Sequence, residues 1–354
     1  MHSLASNTDR RLADVMPNAI VLVDMNSQML WWNRAAERMF GFYVEGNQEK
    51  SLLELLSSPE FEQVFLDKDE HTRTVIVRPN RPSRRLSLQL RAYEENTWLV
   101  IGEDVTDVFK LRAMRQEFVA NVSHELRTPL TVFCGYIEML LEQPEEDAEA
   151  LCEMLKQMSA QGKRMQNLIN DLLWLSRLET KPDRIEMASV NMSALIDYIH
   201  KDALQLCKSS DKQLTFSLEV NPDLQLLGDF EELRSAFANI VSNAVRYTPS
   251  AGRIAIRWFT DNAVAKFQVQ DTGLGIPEKY IPRITQRFYR TEQARSCEQG
   301  GTGLGLAIVK HVLLRNSAKL EIVSKVGVGS TFTCAFAGDN VVMNKSLPEK
   351  ISLS

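Results

Sequence analysis

Asn121-Val122-Ser123-His124-Glu125-Leu126-Arg127-Thr128-Pro129-Leu130 places an imidazole, a carboxylate and a hydroxyl within little more than one helical turn. On a helix His124 and Thr128, four residues apart, share a face, and Glu125 stands beside the ring. A neutral imidazole nitrogen is a good nucleophile toward a phosphoryl group. An adjacent carboxylate can accept a hydrogen bond from the other ring nitrogen, fixing the reactive tautomer and stabilising the imidazolium that develops. Pro129 has no N–H to give and is expected to bend the helix just past the reactive turn. A His beside a Glu is more often a plain surface pair than a reactive one. The second half of the chain reverses those odds.

That half carries an asparagine-bearing helix and two glycine runs in a fixed order. The helix begins at Asp229-Phe230-Glu231-Glu232-Leu233 and ends in Asn239-Ile240-Val241-Ser242-Asn243-Ala244-Val245-Arg246-Tyr247. Asp229 reads as its N-cap, with Glu232 at N3 in a capping-box variant. Asn239 and Asn243 fall on one face with Arg246 close by; amide oxygens suit Mg²⁺ and a guanidinium suits phosphate. The alternating strand Ala265–Gln270 then runs into Asp271-Thr272-Gly273-Leu274-Gly275. A carboxylate there can accept from an exocyclic amine, and the glycines let backbone approach a ligand closely. The last run, Gly300-Gly301-Thr302-Gly303-Leu304-Gly305-Leu306, opens the apolar helix Ala307–Leu314. Amide groups of a glycine loop at a helix N-terminus make an anion site. The run is not a dinucleotide fingerprint, because Ile308 stands where the third Gly belongs, and no Gly-Lys-Ser/Thr follows to make a P-loop. Alone, each element has a bland reading as a solvated face or a turn. Their order after a histidine helix is specific.

In that order the chain resembles the bacterial sensor histidine kinases. His124–Leu130 looks like their phosphoacceptor motif, Asn239…Asn243 the N box, Asp271-x-Gly273-x-Gly275 the G1 box and Gly301-x-Gly303-x-Gly305 the G2 box. Arg287-Phe288-Tyr289-Arg290 resembles the F box, and Gly327-Val328-Gly329-Ser330-Thr331-Phe332 the closing glycine turn of the ATP-binding fold. The match spans about 110 to 338. Asn121–His124, Leu130-Thr131-Val132 and Ala307-Ile308-Val309-Lys310-His311 resemble the phosphate-regulon sensor (PhoR-like) branch. The resemblance implies autophosphorylation of His124 from ATP with Mg²⁺, then transfer to an aspartate of a response regulator with a receiver domain (PhoB-like), in phosphate-starvation signalling. Phosphatase activity toward that regulator is implied as well. Glu125 would polarise the ring and Thr128 would position water for the phosphatase step. Asn239 and Asn243 would hold the metal. Arg246, Tyr247, Asp271, Gly273, Gly275, Arg287, Gly301, Thr302, Gly303, Leu304, Gly305 and Thr331 would complete the nucleotide site.

The implied architecture is multidomain α+β. A PAS-like sensor domain is expected over 12–106 after a segment 1–11. A dimeric four-helix-bundle histidine phosphotransfer domain follows over 108–180, an α/β-sandwich GHKL-type ATP-binding domain over 185–338, and a tail over 339–354. In the first of these, Ile20–Val23 and Met29–Trp32 read as strands joined through Asp24–Ser27, and Asn33 as the cap of a helix ending at Gly41. Trp31 and Trp32 are assigned to core or dimer packing. In the second, apolar residues recur at helical spacing from Phe118 to Leu140 and from Leu151 to Leu175, broken by Gln143-Pro144-Glu145-Glu146-Asp147 and ended by Lys181-Pro182-Asp183. Two amphipathic helices cannot enclose a core alone, which predicts a homodimer.

The net charge of −5 gives no reason to expect direct nucleic-acid binding. Cysteines 134, 152, 207, 297 and 334 lack metal or redox spacing and read as reduced thiols, with Cys134 in a packing role. No run reaches the ~20 apolar residues of a membrane helix, and no signal peptide is recognisable at the start. Branch members usually begin with membrane helices and a short charged segment, which Met1–Arg11 resembles. The expectation is an upstream membrane part outside this chain, with a soluble variant as the alternative. The protein would then lie on the cytoplasmic side of the bacterial inner membrane, within reach of phosphate-transport regulators. Two competing functions remain: a GHKL ATPase without histidine transfer, which would lack the His helix, and a scaffold or pseudokinase, which would be expected to lose Asn243, Asp271 or a G2 glycine.

Overall fold

The computed structural model describes residues 7–41, 51–78, 81–142, 148–180, 188–291 and 301–343. Gly300, Cys297, the breaker residues 143–147 and 181–183, and most of the expected tail lie outside the described residues. The chain divides into two compact units, Met1–Val119 and Ala120–Ser354.

In the first unit, helix α1 (Asn7–Val15) precedes strands β1 (Ala19–Asp24) and β2 (Met29–Trp32). Helices α2 (Arg34–Phe40), α3 (Leu52–Leu56) and α4 (Pro59–Leu66) follow, and then β3 (Arg73–Arg78), β4 (Arg81–Glu94) and β5 (Thr97–Asp104). The strands form one antiparallel sheet in the order β2-β1-β5-β4-β3. Its inner face buries Val21, Val23, Leu88 and Val100 against Phe40, Leu52 and Phe61. Asn33 caps α2 as its position suggests, and Gly41 ends that helix in the left-handed region (φ 69°). Fully buried, Asn33 meets its whole hydrogen-bonding capacity: its Oδ1 accepts from Ile20 N–H (3.0 Å) and Ala36 N–H (2.9 Å). Its Nδ2 donates to the Ala13 (2.8 Å) and Asn18 (2.9 Å) carbonyls. At the sheet's end, Asp104 Oδ1 accepts from Thr106 N–H (3.0 Å), and the Thr106 hydroxyl accepts from Arg85 N–H (2.9 Å). This ties the sheet to the first turn of α5.

Helix α5 (Thr106–Glu142) carries His124, and α6 (Ala148–Thr180) follows it. Pro129 does not end α5: a missing N–H deletes one ladder bond, to the Glu125 carbonyl, and the turns on either side continue. Both helices leave apolar side chains exposed, among them Leu130, Met139, Leu155, Ile169 and Leu173, while Leu168, Leu175 and Leu178 are buried. Cys134 is exposed on this chain rather than packed.

The remainder of the second unit is a sheet-and-helix sandwich. Strands β7 (Thr215–Val220), β9 (Arg253–Asp261), β10 (Val264–Asp271), β11 (Ala318–Lys325) and β12 (Gly329–Phe336) form one sheet, ordered β11-β12-β10-β9-β7, with β7 and β9 parallel. Strict alternation buries Ile254, Ile256 and Trp258 on β9 and Ala265, Phe267 and Val269 on β10. Helices α7 (Met192–Ser209), α8 (Phe230–Tyr247) and α9 (Gly305–Arg315) supply the other half of the core. Phe237 of α8 stacks on Phe267 with ring centroids 4.0 Å apart, and Phe336 meets Phe237 edge-on. A second sheet joins β6 (Ala188–Val190), β8 (Leu224–Gly228) and β13 (Val341–Met343). Residues 341–343, past the expected boundary at 338, therefore pair with β8.

Candidate active site

The cleft is built on one face of α8. Leu233, Ala236, Phe237, Ile240, Val241, Ala244 and Val245 are buried, which fixes the helix rotation and turns Asn239, Asn243 and Arg246 to the opposite side. Asp229 caps the helix, accepting from Glu231 N–H (2.9 Å) and Glu232 N–H (3.1 Å). The Glu232 carboxylate, fully buried, takes Arg315 Nε of α9 at 3.1 Å, an ion pair that joins the start of one helix to the end of the other.

Sequence reading overlooked the device at the far end of α8. Lys212 Nζ donates to the Val245 (3.0 Å), Arg246 (2.7 Å) and Thr248 (2.9 Å) carbonyls, so one ammonium satisfies three helix-end acceptors. Its own backbone N–H closes α7 on the Cys207 carbonyl at 3.0 Å. No local pattern marks such a lysine, because its partners lie more than thirty residues away. The Tyr247 carbonyl in turn accepts from Leu274 N–H (3.2 Å), which fastens the G1 loop to the N-box helix.

Asp271, at the end of β10, is buried. Its Oδ1 accepts from Gly273 N–H (2.8 Å) and Ser330 N–H (3.2 Å). Burial raises its pKa, and those two backbone donors oppose the shift. Asp271 lines a cleft of about 670 Å³, and among the described residues its Oδ2 makes no hydrogen bond. Ser324 Oγ accepts from Ile276 N–H (2.7 Å) and Gly327 N–H donates to the Leu274 carbonyl (2.9 Å), so the β11–β12 turn braces the same loop.

The glycine loop lies across from Asp271. Gly303 is left-handed (φ 73°), and a Cβ there would sit 2.8 Å from Phe288 Cα; Phe288 N–H donates to the Gly303 carbonyl at 2.9 Å. A Cβ on Gly305 would collide with Asn239 Oδ1, so glycine lets α9 begin against the N box. Asn239 Nδ2 donates back to the Ser235 carbonyl (2.9 Å), leaving its Oδ1 turned toward Gly305. Asn243 Oδ1 accepts from Arg246 at 3.3 Å.

Of the expected nucleotide-site residues, Asn239, Asn243, Arg246, Tyr247, Asp271, Gly275, Gly301, Thr302, Gly303 and Gly305 line the cleft. Gly273, Leu304 and Thr331 stand behind it: Gly273 packs on the Tyr247 carbonyl, Leu304 is fully buried, and Thr331 pairs with Gln270 and Val323. Arg287 points elsewhere, its guanidinium on Glu179 of α6, and the F-box residues that reach the cleft are Tyr289 and Arg290.

Helix α6 forms the remaining wall through Lys163, Arg164 and Asp171, none of which the sequence singled out. Thr302 donates to Asp171 Oδ2 at 2.7 Å. Burial raises the Asp171 pKa, opposed by the Thr302 bond and the positive charge of Arg246. Arg164 pairs with Glu125 Oε2 at 3.4 Å, so one guanidinium touches both the cleft and the turn bearing His124. His124 is exposed, and the Thr128 hydroxyl donates to its carbonyl at 3.2 Å. The Glu125 carboxylate, expected on the imidazole, is instead engaged by Arg164.

The histidine motif on α5, together with the cleft between the N-box helix and the glycine loop, points to a sensor histidine kinase. Family models agree: PAS fold over residues 8–88, His Kinase A (phospho-acceptor) domain over 114–181, and histidine kinase-, DNA gyrase B- and HSP90-like ATPase over 228–339. The Phosphate regulon sensor protein PhoR of Pseudomonas aeruginosa is 45% identical over 90% of this chain and 72% of its own length. That of Haemophilus influenzae is 33% identical over 90% and 73%. The chain belongs to the phosphate-regulon sensor histidine kinases, binds ATP and is a protein-histidine kinase. A solved structure of the histidine kinase ThkA in complex with the response regulator protein TrrA shares the fold, with TM-score 0.50 and 20% identity over 98% of this chain and all of that one.

Proposed function

We propose that His124 is the phosphoryl acceptor and that the cleft between α6, α8 and the glycine loop holds ATP. The observation that carries this reading is Arg164, which lines the cleft and also grips Glu125, the neighbour of His124. Asp271 Oδ2 is suited to the adenine amine, and Arg246, Arg290 and the glycine-loop amides to the phosphates. Asn239 and Asn243 would hold Mg²⁺ through their amide oxygens once Asn243 releases Arg246, and the bound ion would neutralise charge on the phosphate oxygens. An imidazole nitrogen of His124 attacks the γ-phosphorus, the bond to the β–γ bridging oxygen breaks, and ADP leaves. Glu125 is then best read as a positioning group held by Arg164.

The phosphoryl group passes next to an aspartate of a response regulator with a receiver domain, PhoB-like by the family's logic, in phosphate-starvation signalling. Thr128 would orient water for the reverse, phosphatase task. The exposed apolar residues of α5 and α6 support a homodimeric four-helix bundle. We place the working domains at 12–106, 108–180 and 188–343. No helix among the described residues is long and apolar enough to cross a membrane; we read the chain as working on the cytoplasmic face of the inner membrane, beside phosphate-transport regulators. Incubation with γ-labelled ATP tests the proposal. Acid-labile label should appear on the chain and then chase onto a purified receiver domain, whereas free phosphate release without protein label would point to a plain ATPase.

A further inference from the structure

Asp171 sits on α6, whose Arg164 grips Glu125 on the phosphoacceptor helix, yet its carboxylate reaches the cleft and accepts a hydrogen bond from the Thr302 hydroxyl at 2.7 Å. Thr302 follows Gly301, whose Cα side faces the Arg246 guanidinium. A carboxylate on a loop hydroxyl, with a guanidinium nearby, makes contacts that a phosphate oxygen would make. The same stretch of α6 is fastened twice more, by Glu179 to Arg287 and by the Leu178 carbonyl to Arg315 (3.4 Å).

We propose that Asp171 is an internal competitor for the phosphate side of the cleft, so that α6 sets nucleotide affinity through one carboxylate. This rests on reading the cleft as the ATP site. While α6 is docked, the polyphosphate must either displace Asp171 from Thr302 or tolerate a like charge beside it, and both cost affinity. Adenosine carries no phosphate and is indifferent to the carboxylate. Undocking α6 therefore tightens nucleotide binding, and nucleotide binding loosens α6, because the two effects are one coupling read from either end.

Titration calorimetry on the full chain, wild type against Asp171→Asn and Asp171→Ala, separates the possibilities with three probes: ATP·Mg²⁺, ADP·Mg²⁺ and adenosine. Asp171→Asn keeps an acceptor for Thr302 and removes only the charge. Both variants should bind ATP and ADP about three- to tenfold more tightly, as expected for relief of one like-charge contact, with adenosine unchanged. Misfolding cannot produce a gain of affinity. Unchanged or weaker ATP binding in both variants overturns the proposal, and so does equal tightening toward adenosine, which would report a wider cleft. A wild-type chain that binds none of the probes overturns instead the assignment of the cleft to ATP.

Discussion

The Thr302 hydroxyl donates to Asp171 at 2.7 Å across 131 residues of sequence, joining the glycine loop to α6, the helix whose Arg164 grips Glu125. At the other end of α9, Arg315 is buried on Glu232 of α8. Helix α9 is thus anchored at its N-terminal loop to α6 and at its C-terminus to the N-box helix. A displacement of α6 is felt at the glycine loop through contacts already in place.

His124→Ala should abolish acid-labile phosphorylation and leave ATP affinity within about twofold, because His124 is exposed on α5 and does not line the cleft. Label on the protein measured after acid and alkaline treatment is the check. Acid-labile label persisting on the variant would mean that another histidine is the acceptor.

Asn243→Ala should weaken ATP·Mg²⁺ binding by roughly tenfold or more and suppress transfer. It removes an amide oxygen suited to the metal and also the partner of Arg246 at 3.3 Å. The loss should be smaller when binding is measured with chelator present. A variant with normal transfer would show that the asparagine face of α8 does not hold the metal.

Thr128→Ala should reduce dephosphorylation of the regulator by ~10²-fold, the usual effect of losing one positioned group, while autophosphorylation stays within a few-fold. The hydroxyl now donates to the His124 carbonyl at 3.2 Å and is free to swing to water without disturbing the ring. Glu125→Gln should show the opposite bias, because it removes the charge that Arg164 grips. Equal losses in both reactions for Thr128→Ala would indicate distortion of the helix near Pro129.

His311 introduces a pH dependence. Burial lowers its pKa from the ordinary 6.5; Glu179 pulls it back up, and Arg287 and Lys310 push it further down. Burial works against charging His311, so its 3.8 Å approach to Glu179 becomes an ion pair only on protonation. A depressed histidine pKa means that the unfolded chain binds the proton more readily. Stability is then full above pH 6.5 and falls as pH drops from there toward the folded-state pKa. Denaturant unfolding of the full chain between pH 8 and pH 5 should show that loss, and His311→Gln should remove part of it. An unaltered pH profile in His311→Gln would exclude this histidine as its source.

Much of this protein follows from its sequence by local physics. Asn33 and Gly41 delimit α2 because an amide cap and a left-handed glycine are local devices. Burial at alternate positions of β9 and β10 and the helical spacing on α8 need only neighbouring residues to be read, and the order of the boxes carried the family. The tertiary structure alone decided where Arg287, Lys212, Arg164 and Asp171 act. Arg287 belongs to a recognisable box yet pairs with Glu179, 108 residues away, and Lys212 closes a helix more than thirty residues downstream. Arg164 and Asp171 look like ordinary polar positions of an amphipathic helix, and only the docking of α6 against the cleft turns them toward a functional partner. The physical reason is range: caps, turns and periodicity act over a few residues, whereas a side chain's electrostatic partner is whatever folding brings within hydrogen-bonding distance.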